Sequence, residues 1–197
     1  MVACALLGGN LAGCAIDADT VLPPKEESPS VLLLGRAVTV LTGDRARKFG
    51  PTLREIELIE QRHGTRYRIT VGGADTLFAV FLPPGRYDVN RVQINEGPFL
   101  SVAQTPLSIA LNEGPLVFSG TWRFGVDSPK YGREVLLSVS TDEESRTLLQ
   151  DKVRAEYPTL ADSPLITVLP VPTEMQARLF EVAPYPRVPR YFRRHNW

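Results

Sequence analysis

Cys4, Cys14, His63 and His195 are the only cysteine and histidine side chains in this chain of 197 residues. A Ser-His-Asp arrangement needs an imidazole held between a hydroxyl and a carboxylate. His63 falls in an Arg-His-Gly segment that reads as an exposed turn, and His195 sits near the end of the sequence, so neither is well placed as a base. No Cys/His cluster has zinc spacing, no glycine-rich segment matches a phosphate-binding loop, and no Gly-x-Ser-x-Gly occurs. No metal or cofactor is implied. Paired carboxylates stand at Glu26-Glu27, at Glu55 with Glu57, and from Asp142 to Glu144. The first pair lies in a polar segment, the second on one face of an expected strand, and the third at a helix start, where acids stabilise the macrodipole. Tyr67, Trp122 and Tyr131 have arginine neighbours and could stack on a sugar, although core or surface packing explains such aromatics as well.

The elements that must position these groups are mostly strands. Val31 to Leu41, Ile56 to Arg62, Tyr67 to Val71, Thr76 to Leu82, Tyr87 to Ile94, Phe99 to Val102, Leu107 to Leu111, Leu116 to Phe124 and Val135 to Ser140 are β-branched, aromatic or alternating runs. Turn residues separate them, among them Gly72-Gly73, Gly97-Pro98 and Gly114-Pro115. This spacing predicts a mainly β protein, an antiparallel β-sandwich or open barrel. In Leu116 to Phe124 the alternation places Leu116, Phe118, Trp122 and Phe124 on one face and Ser119, Thr121 and Arg123 on a water-facing side. In Tyr87 to Ile94 the apolar parity shifts between Val89 and Val92, which predicts either a bulge near Asn90-Arg91 or a crossing between sheets. One α-helix is expected over about 142–157: Thr141 and Glu144 form a capping box, Leu149, Val153 and Tyr157 repeat at helical spacing, and Pro158 ends it.

The N-terminal region has a different character. Val2 to Leu11 is an uncharged run of about ten residues, too short for the roughly 20 that span a bilayer as a helix and suited to the apolar core of a signal peptide. It closes on Leu11-Ala12-Gly13-Cys14, which resembles the lipobox of bacterial lipoproteins. The resemblance implies a signal peptide over 1–13, cleavage before Cys14 and a diacylglycerol on its thiol, so that the chain is held to the membrane through lipidated Cys14. The family also places Lys or Arg before the apolar run, where this chain has Met1-Val2-Ala3-Cys4. Ala15, rather than Asp, follows the cysteine, which in that family favours the outer membrane of the cell envelope. Residues 14–30 include Pro23, Pro24, Pro29 and the charges Lys25, Glu26 and Glu27, too little apolar surface to offset chain entropy, and read as a flexible tether. With Cys4 removed and Cys14 acylated, no thiol remains for a disulfide.

About 165 residues follow, enough for one sandwich domain over 31–183 with a sizeable core. Phe81-Leu82-Pro83-Pro84-Gly85-Arg86-Tyr87 looks like the strand-Pro-Gly-x-Tyr-strand element of prealbumin-like and carboxypeptidase-regulatory-like sandwiches, which are usually non-catalytic modules. A type II turn with Gly85 at positive φ, joining two strands, is expected there.

Lys plus Arg equals Asp plus Glu at 22 each, so no global field recruits nucleic acid. The extended tail 184–197 departs from that balance. It carries Arg187, Arg190, Arg193 and Arg194 with no acid, interleaved with Tyr185, Tyr191, Phe192 and Trp197 and stiffened by three prolines. Arginine and aromatic side chains anchor interfaces, and proline lowers the ordering cost of an extended segment. The tail is therefore the expected contact with a protein partner, with contact to anionic lipid or polysaccharide, or folding back on its own sandwich, as the alternatives. The reading that follows is a non-catalytic structural or assembly subunit. A glycan or small-ligand module using Trp122 or Tyr131, and a hydrolase with a loop-assembled site, are the alternatives.

Overall fold

The structure, a computed structural model, describes residues 30–43, 49–112, 114–127 and 132–182. Cys14, the tether and the tail 184–197 lie outside the described residues, as does Tyr131. Eleven strands and one α-helix are described: β1 (Val31–Leu41), β2 (Thr52–Glu60), β3 (Arg66–Thr70), β4 (Asp75–Leu82), β5 (Gly85–Glu96), β6 (Phe99–Leu111), β7 (Leu116–Asp127), β8 (Glu134–Ser140), α1 (Glu143–Glu156), β9 (Ile166–Thr167), β10 (Glu174–Arg178) and β11 (Phe180–Glu181).

They form the expected β-sandwich. One sheet runs β10-β8-β7-β1-β4, with β9 also against β7, and the other runs β11-β6-β5-β2-β3. Apolar residues of both sheets meet between them, including Leu33, Ile56, Tyr87, Val92, Ile109, Trp122 and Phe124. The sheets are not wholly antiparallel, as β1 and β7 pair in parallel. A parallel neighbour requires a long connection, and five strands intervene between these two.

In β7 the residues of even number do not all share one face. β1 advances from Leu34 to Arg36 while β7 advances from Phe118 to Thr121, so β7 carries one extra residue. Gly120 takes it up at φ 88°. Before this bulge Leu116 and Phe118 face α1, where they join Leu32, Leu34, Leu149, Val153 and Leu165 in a second core. After it Trp122 and Phe124 point between the sheets. Arg123 is the only exposed residue of the strand, so the side expected to face water is largely covered.

The expected bulge in β5 is present, and β5 stays within one sheet. Asn90 is the extra residue opposite Glu57 and Leu58 of β2. On its other side Thr105 and Pro106 stand opposite Asn90, which lets β6 accommodate a proline and run unbroken from Phe99 to Leu111 where two strands are expected. The crossing between sheets occurs at Leu179 instead, where β10 of one sheet leads into β11 of the other and the buried Leu179 N–H donates to the Arg133 carbonyl at 2.8 Å.

The Pro-Pro-Gly element also differs from its reading. β4 and β5 belong to different sheets, so the segment is a crossover rather than a hairpin. Gly85 has no positive φ and pairs directly with Leu111. Tyr87 holds the corner by donating its hydroxyl to the Pro83 carbonyl at 2.5 Å. Burial pushes its phenol well above the ordinary tyrosine value.

The helix starts one residue later than the capping box implies. Asp142 is the N-cap, accepting from the Glu144 N–H at 3.1 Å, because its carboxylate also takes the Ser145 hydroxyl at 2.5 Å. Arg36 of β1 ties this cap to the sheet. It grips Asp75 with two bonds of 2.8 and 2.6 Å, donates to Ser145 at 3.1 Å and lies 3.5 Å from Asp142. The Arg36 bond holds the Asp75 carboxyl below its usual range, and bonds from Ser145 do the same for Asp142. Carboxylates with lowered folded values add stability above their ordinary value near 3.8, and that contribution disappears as pH falls through the folded values. The contribution of these two groups is accordingly complete and independent of pH near neutrality, and melting temperatures are expected to fall on acidification below about pH 4. In Asp75→Asn/Asp142→Asn the acid-dependent part of the fall should shrink; an unchanged profile would show that other carboxylates control it.

Candidate interaction surface

The two outer faces of the sandwich are treated differently. Helix α1 packs over the β1-β7 sheet through Leu149 and Val153. No helix among the described residues covers the β2-β5-β6 sheet, and its outward side chains form rows set by strand register.

One row reads Thr70, Glu55, Gln93, Val102 and Phe180 across β3, β2, β5, β6 and β11. The next reads Arg68, Glu57, Arg91 and Gln104. Cross-strand neighbours on a sheet face are close enough to pair, and these do. Gln93 donates to Glu55 at 2.8 Å, Asn90 to Glu57 at 2.7 Å, and Arg91 lies 3.1 Å from Glu57. Arg66 and Arg68 approach Glu57 at 3.8 and 4.0 Å and complete a mesh of three guanidiniums around two carboxylates. The mesh covers the Glu57 side chain, leaving it 0% exposed. Glu55 and Glu57 do share a strand face, as their spacing predicts, and both are held by arginine or amide donors rather than set against each other as an acid/base pair.

Across the same face the chemistry changes from charged to apolar. Leu100 and Val102 of β6 are half-buried, and Phe180 of the outer strand and Val182 just after it are 56% and 40% exposed. Register puts Val102 beside Phe180, and the Val182 N–H donates to the Leu100 carbonyl at 2.8 Å, so the four side chains adjoin. The Arg178 guanidinium stands 5.5 Å from the centre of the Phe180 ring. This strip ends at Val182, directly before the segment that holds Tyr185, Arg187, Arg190, Tyr191, Phe192, Arg193, Arg194 and Trp197. Phe180 and Val182 are spaced by two residues and so share a strand face, a signal the sequence does carry. It is masked there because only three-dimensional pairing places Leu100 and Val102 next to them.

The other residues with chemical potential are placed in structural roles. His63 Nδ1 is 2.8 Å from Glu60 Oε2 in the turn between β2 and β3. Glu60 also accepts the backbone N–H groups of Arg62 and His63, at 2.9 and 2.7 Å. Burial works against its charge, yet the backbone bonds from His63 and Arg62, with the imidazole, keep the carboxyl below its usual range. It functions as the cap of the turn. Trp122 is 2% exposed, packs edge-on against Phe78 and donates its indole N–H to the Ser119 carbonyl at 3.0 Å, so it cannot serve as a sugar platform. Tyr67 is half-buried edge-on against Tyr87. A groove of about 660 Å³ beside the β5 bulge is lined by Gln61, Asp88, Asn90, Gln104 and Ser108 with no aromatic side chain. Among the described residues no group of His, Cys, Asp and Glu is placed to hold a metal ion, and no helix is long and apolar enough to cross a membrane.

Fold and surface together define a two-sheet β-sandwich with a helix over one face and a charged-to-apolar face opposite. No protein-family model, curated protein or solved structure matches this chain.

Proposed function

We propose that this protein is a non-catalytic lipoprotein of the bacterial cell envelope, anchored through Cys14, whose sandwich and C-terminal tail dock a protein partner. The observation that carries the reading is the strip of Leu100, Val102, Phe180 and Val182, which lies on the uncovered face and runs into the arginine- and aromatic-rich tail. Apolar side chains at the centre of a docking surface supply the burial, and a rim of arginine, amide and carboxylate groups supplies register. The mesh of Arg66, Arg68, Arg91, Glu55 and Glu57 provides such a rim. Residues 14–30 would separate this surface from the bilayer, and Ala15 after the cysteine favours outer-membrane placement.

Two measurements test the reading separately. Intact mass and membrane fractionation of the native protein, beside Cys14→Ser, test the anchor. A chain beginning at Cys14 with added lipid mass, and release of the variant to the soluble fraction, is the expected result. Persistence of Met1 to Gly13 without acylation would remove the anchor from the proposal. Photo-crosslinking in cells from position 180 and from position 191 is expected to capture one and the same protein, with Phe180→Glu reducing the yield from position 191 by about tenfold or more. Capture from neither position would leave the surface without its assigned role.

A further inference from the structure

Among the described residues, β10, β4, β11 and β3 end the main paths of the two sheets, and three of these four carry features that discourage addition of a further strand. β3 presents Arg66 and Arg68, β10 presents Glu174, Gln176 and Arg178, and β11 is two residues long. β4 is different. From Thr76 to Leu82 it reads Thr-Leu-Phe-Ala-Val-Phe-Leu, with no charge, proline or glycine, and its one acid, Asp75, is engaged by Arg36.

The direction of its backbone groups follows from the neighbouring ladder. The Leu32 N–H of β1 donates toward β7, to the Pro115 carbonyl, while the Thr39 N–H donates to the opposite side, to Ala74. Odd-numbered residues of β1 therefore bond to β4, through Leu82, Val80, Phe78 and Thr76, their register partners. Leu77, Ala79 and Phe81 turn their N–H and C=O groups away from β1. Among the described residues no backbone bond reaches them.

We propose that the β4 edge pairs with the β4 edge of a second copy of this chain, joining the two sheets antiparallel across a two-fold axis at Ala79. Joining the same edge of two identical sheets requires antiparallel strands, and an axis through an outward-bonding residue makes that residue a hydrogen-bonded pair with its own copy. With Ala79 there, Leu77 of each copy lies opposite the partner's Phe81, and all three outward residues bond in both copies. Asp75 falls opposite the partner's Pro83, so the two acids stay apart. Leu77 and Phe81 already pack on the α1-side core, with Phe81 edge-on to Tyr157 at 5.5 Å, so the new pairs would extend an existing apolar layer. A second copy is favoured over an unrelated strand because the edge's hydrogen-bonding groups match their own two-fold copy at this register and no like charges meet across it. The inference stands independently of the anchor and of the docking surface proposed above.

The test is the solution mass of the full chain in reducing buffer at micromolar concentration, with Cys14→Ser in every sample so that no acyl chain contributes. Hydrogen exchange of the β4 amides accompanies it. Ala79→Pro removes an N–H that the β1 ladder does not use, which an edge strand tolerates. Leu77→Lys places an ammonium against the partner's Phe81. The parent is expected at twice its chain mass, with slow exchange at Ala79 and Phe81. Both variants are expected at the chain mass with unchanged circular dichroism, and those two amides should exchange at least tenfold faster in Leu77→Lys. Should Ala79→Pro fail to fold, Leu77→Lys and the exchange rates decide. A monomeric parent, a dimer that survives in folded variants, or slow exchange persisting in monomeric Leu77→Lys would each overturn the proposal. The last result would mean that residues 1–29 or 183–197 of the same chain cover the edge.

Discussion

Gly120→Ala is expected to remove roughly 2–5 kcal/mol of stability, the sum of a positive-φ penalty and local overpacking. At φ 88° a side chain is strained whatever the space around it. A methyl group there would also meet the Leu169 side chain at 2.7 Å and the Ser140 carbonyl oxygen at 2.8 Å. Leu169 can give way, but Ser140 ends the neighbouring strand β8, and moving its carbonyl disturbs the ladder with β7. The position also decides which way Trp122 points, because the bulge reverses the strand's faces. Urea unfolding should show a lower midpoint, and indole emission should shift to the red as the Ser119 to Trp122 hydrogen bonds loosen. A loss below about 1 kcal/mol would mean that the bulge can migrate along β7 at little cost.

A comparable loss is expected from Glu96→Ala. Glu96, at the end of β5, is 3% exposed and forms an ion pair with Arg133, which also donates to Ser101 at 2.6 Å. Arg133 precedes β8 in the other sheet, and its carbonyl accepts from Leu179, so this group joins both sheets at the point where β10 passes into β11. Taking Glu96 away removes a counter-charge from a guanidinium that is itself only 22% exposed, at a cost of up to about 3–5 kcal/mol. Replacing both, as in Glu96→Leu/Arg133→Met, should recover most of that loss, since desolvating two charges nearly cancels their attraction. A double-mutant cycle measured by chemical denaturation separates the outcomes. If the double variant is as unstable as Glu96→Ala, packing and neutral hydrogen bonds hold this end rather than charge. Loosening β11 should also weaken crosslinking from position 180, because Phe180 is presented by that strand.

Much of the strand inventory was readable because period-two burial and turn residues are local. Val31–Leu41 is recovered with both ends, and the β5 bulge is visible because Val89 and Val92 must both face inward while separated by an odd number of residues. The helix was likewise legible from Leu149, Val153 and Pro158, though its cap fell on Asp142 because the carboxylate has a second bond to make with Ser145. β9, β10 and β11 were not. Two of them are two residues long, and β10 alternates between exposed and half-buried positions at a sheet margin, so burial writes little into its sequence.

The candidate surface was divided in the same manner. The acidic pair Glu55 and Glu57 could be assigned to one face from spacing alone, whereas Arg66, Arg68 and Arg91 as their partners depend on strand pairing. Composition and periodicity alone determined the β-rich class, most of the strand positions up to Ser140, the helix that follows them and the concentration of arginine and aromatics after residue 184, since these rest on neighbours in sequence. Tertiary structure decided which strands share a sheet, that β1 lies parallel to β7, that Trp122 is core rather than surface, and that Leu100, Val102, Phe180 and Val182 adjoin. Those outcomes depend on register between distant strands, and a single added residue such as Gly120 or Asn90 reverses the face of everything after it.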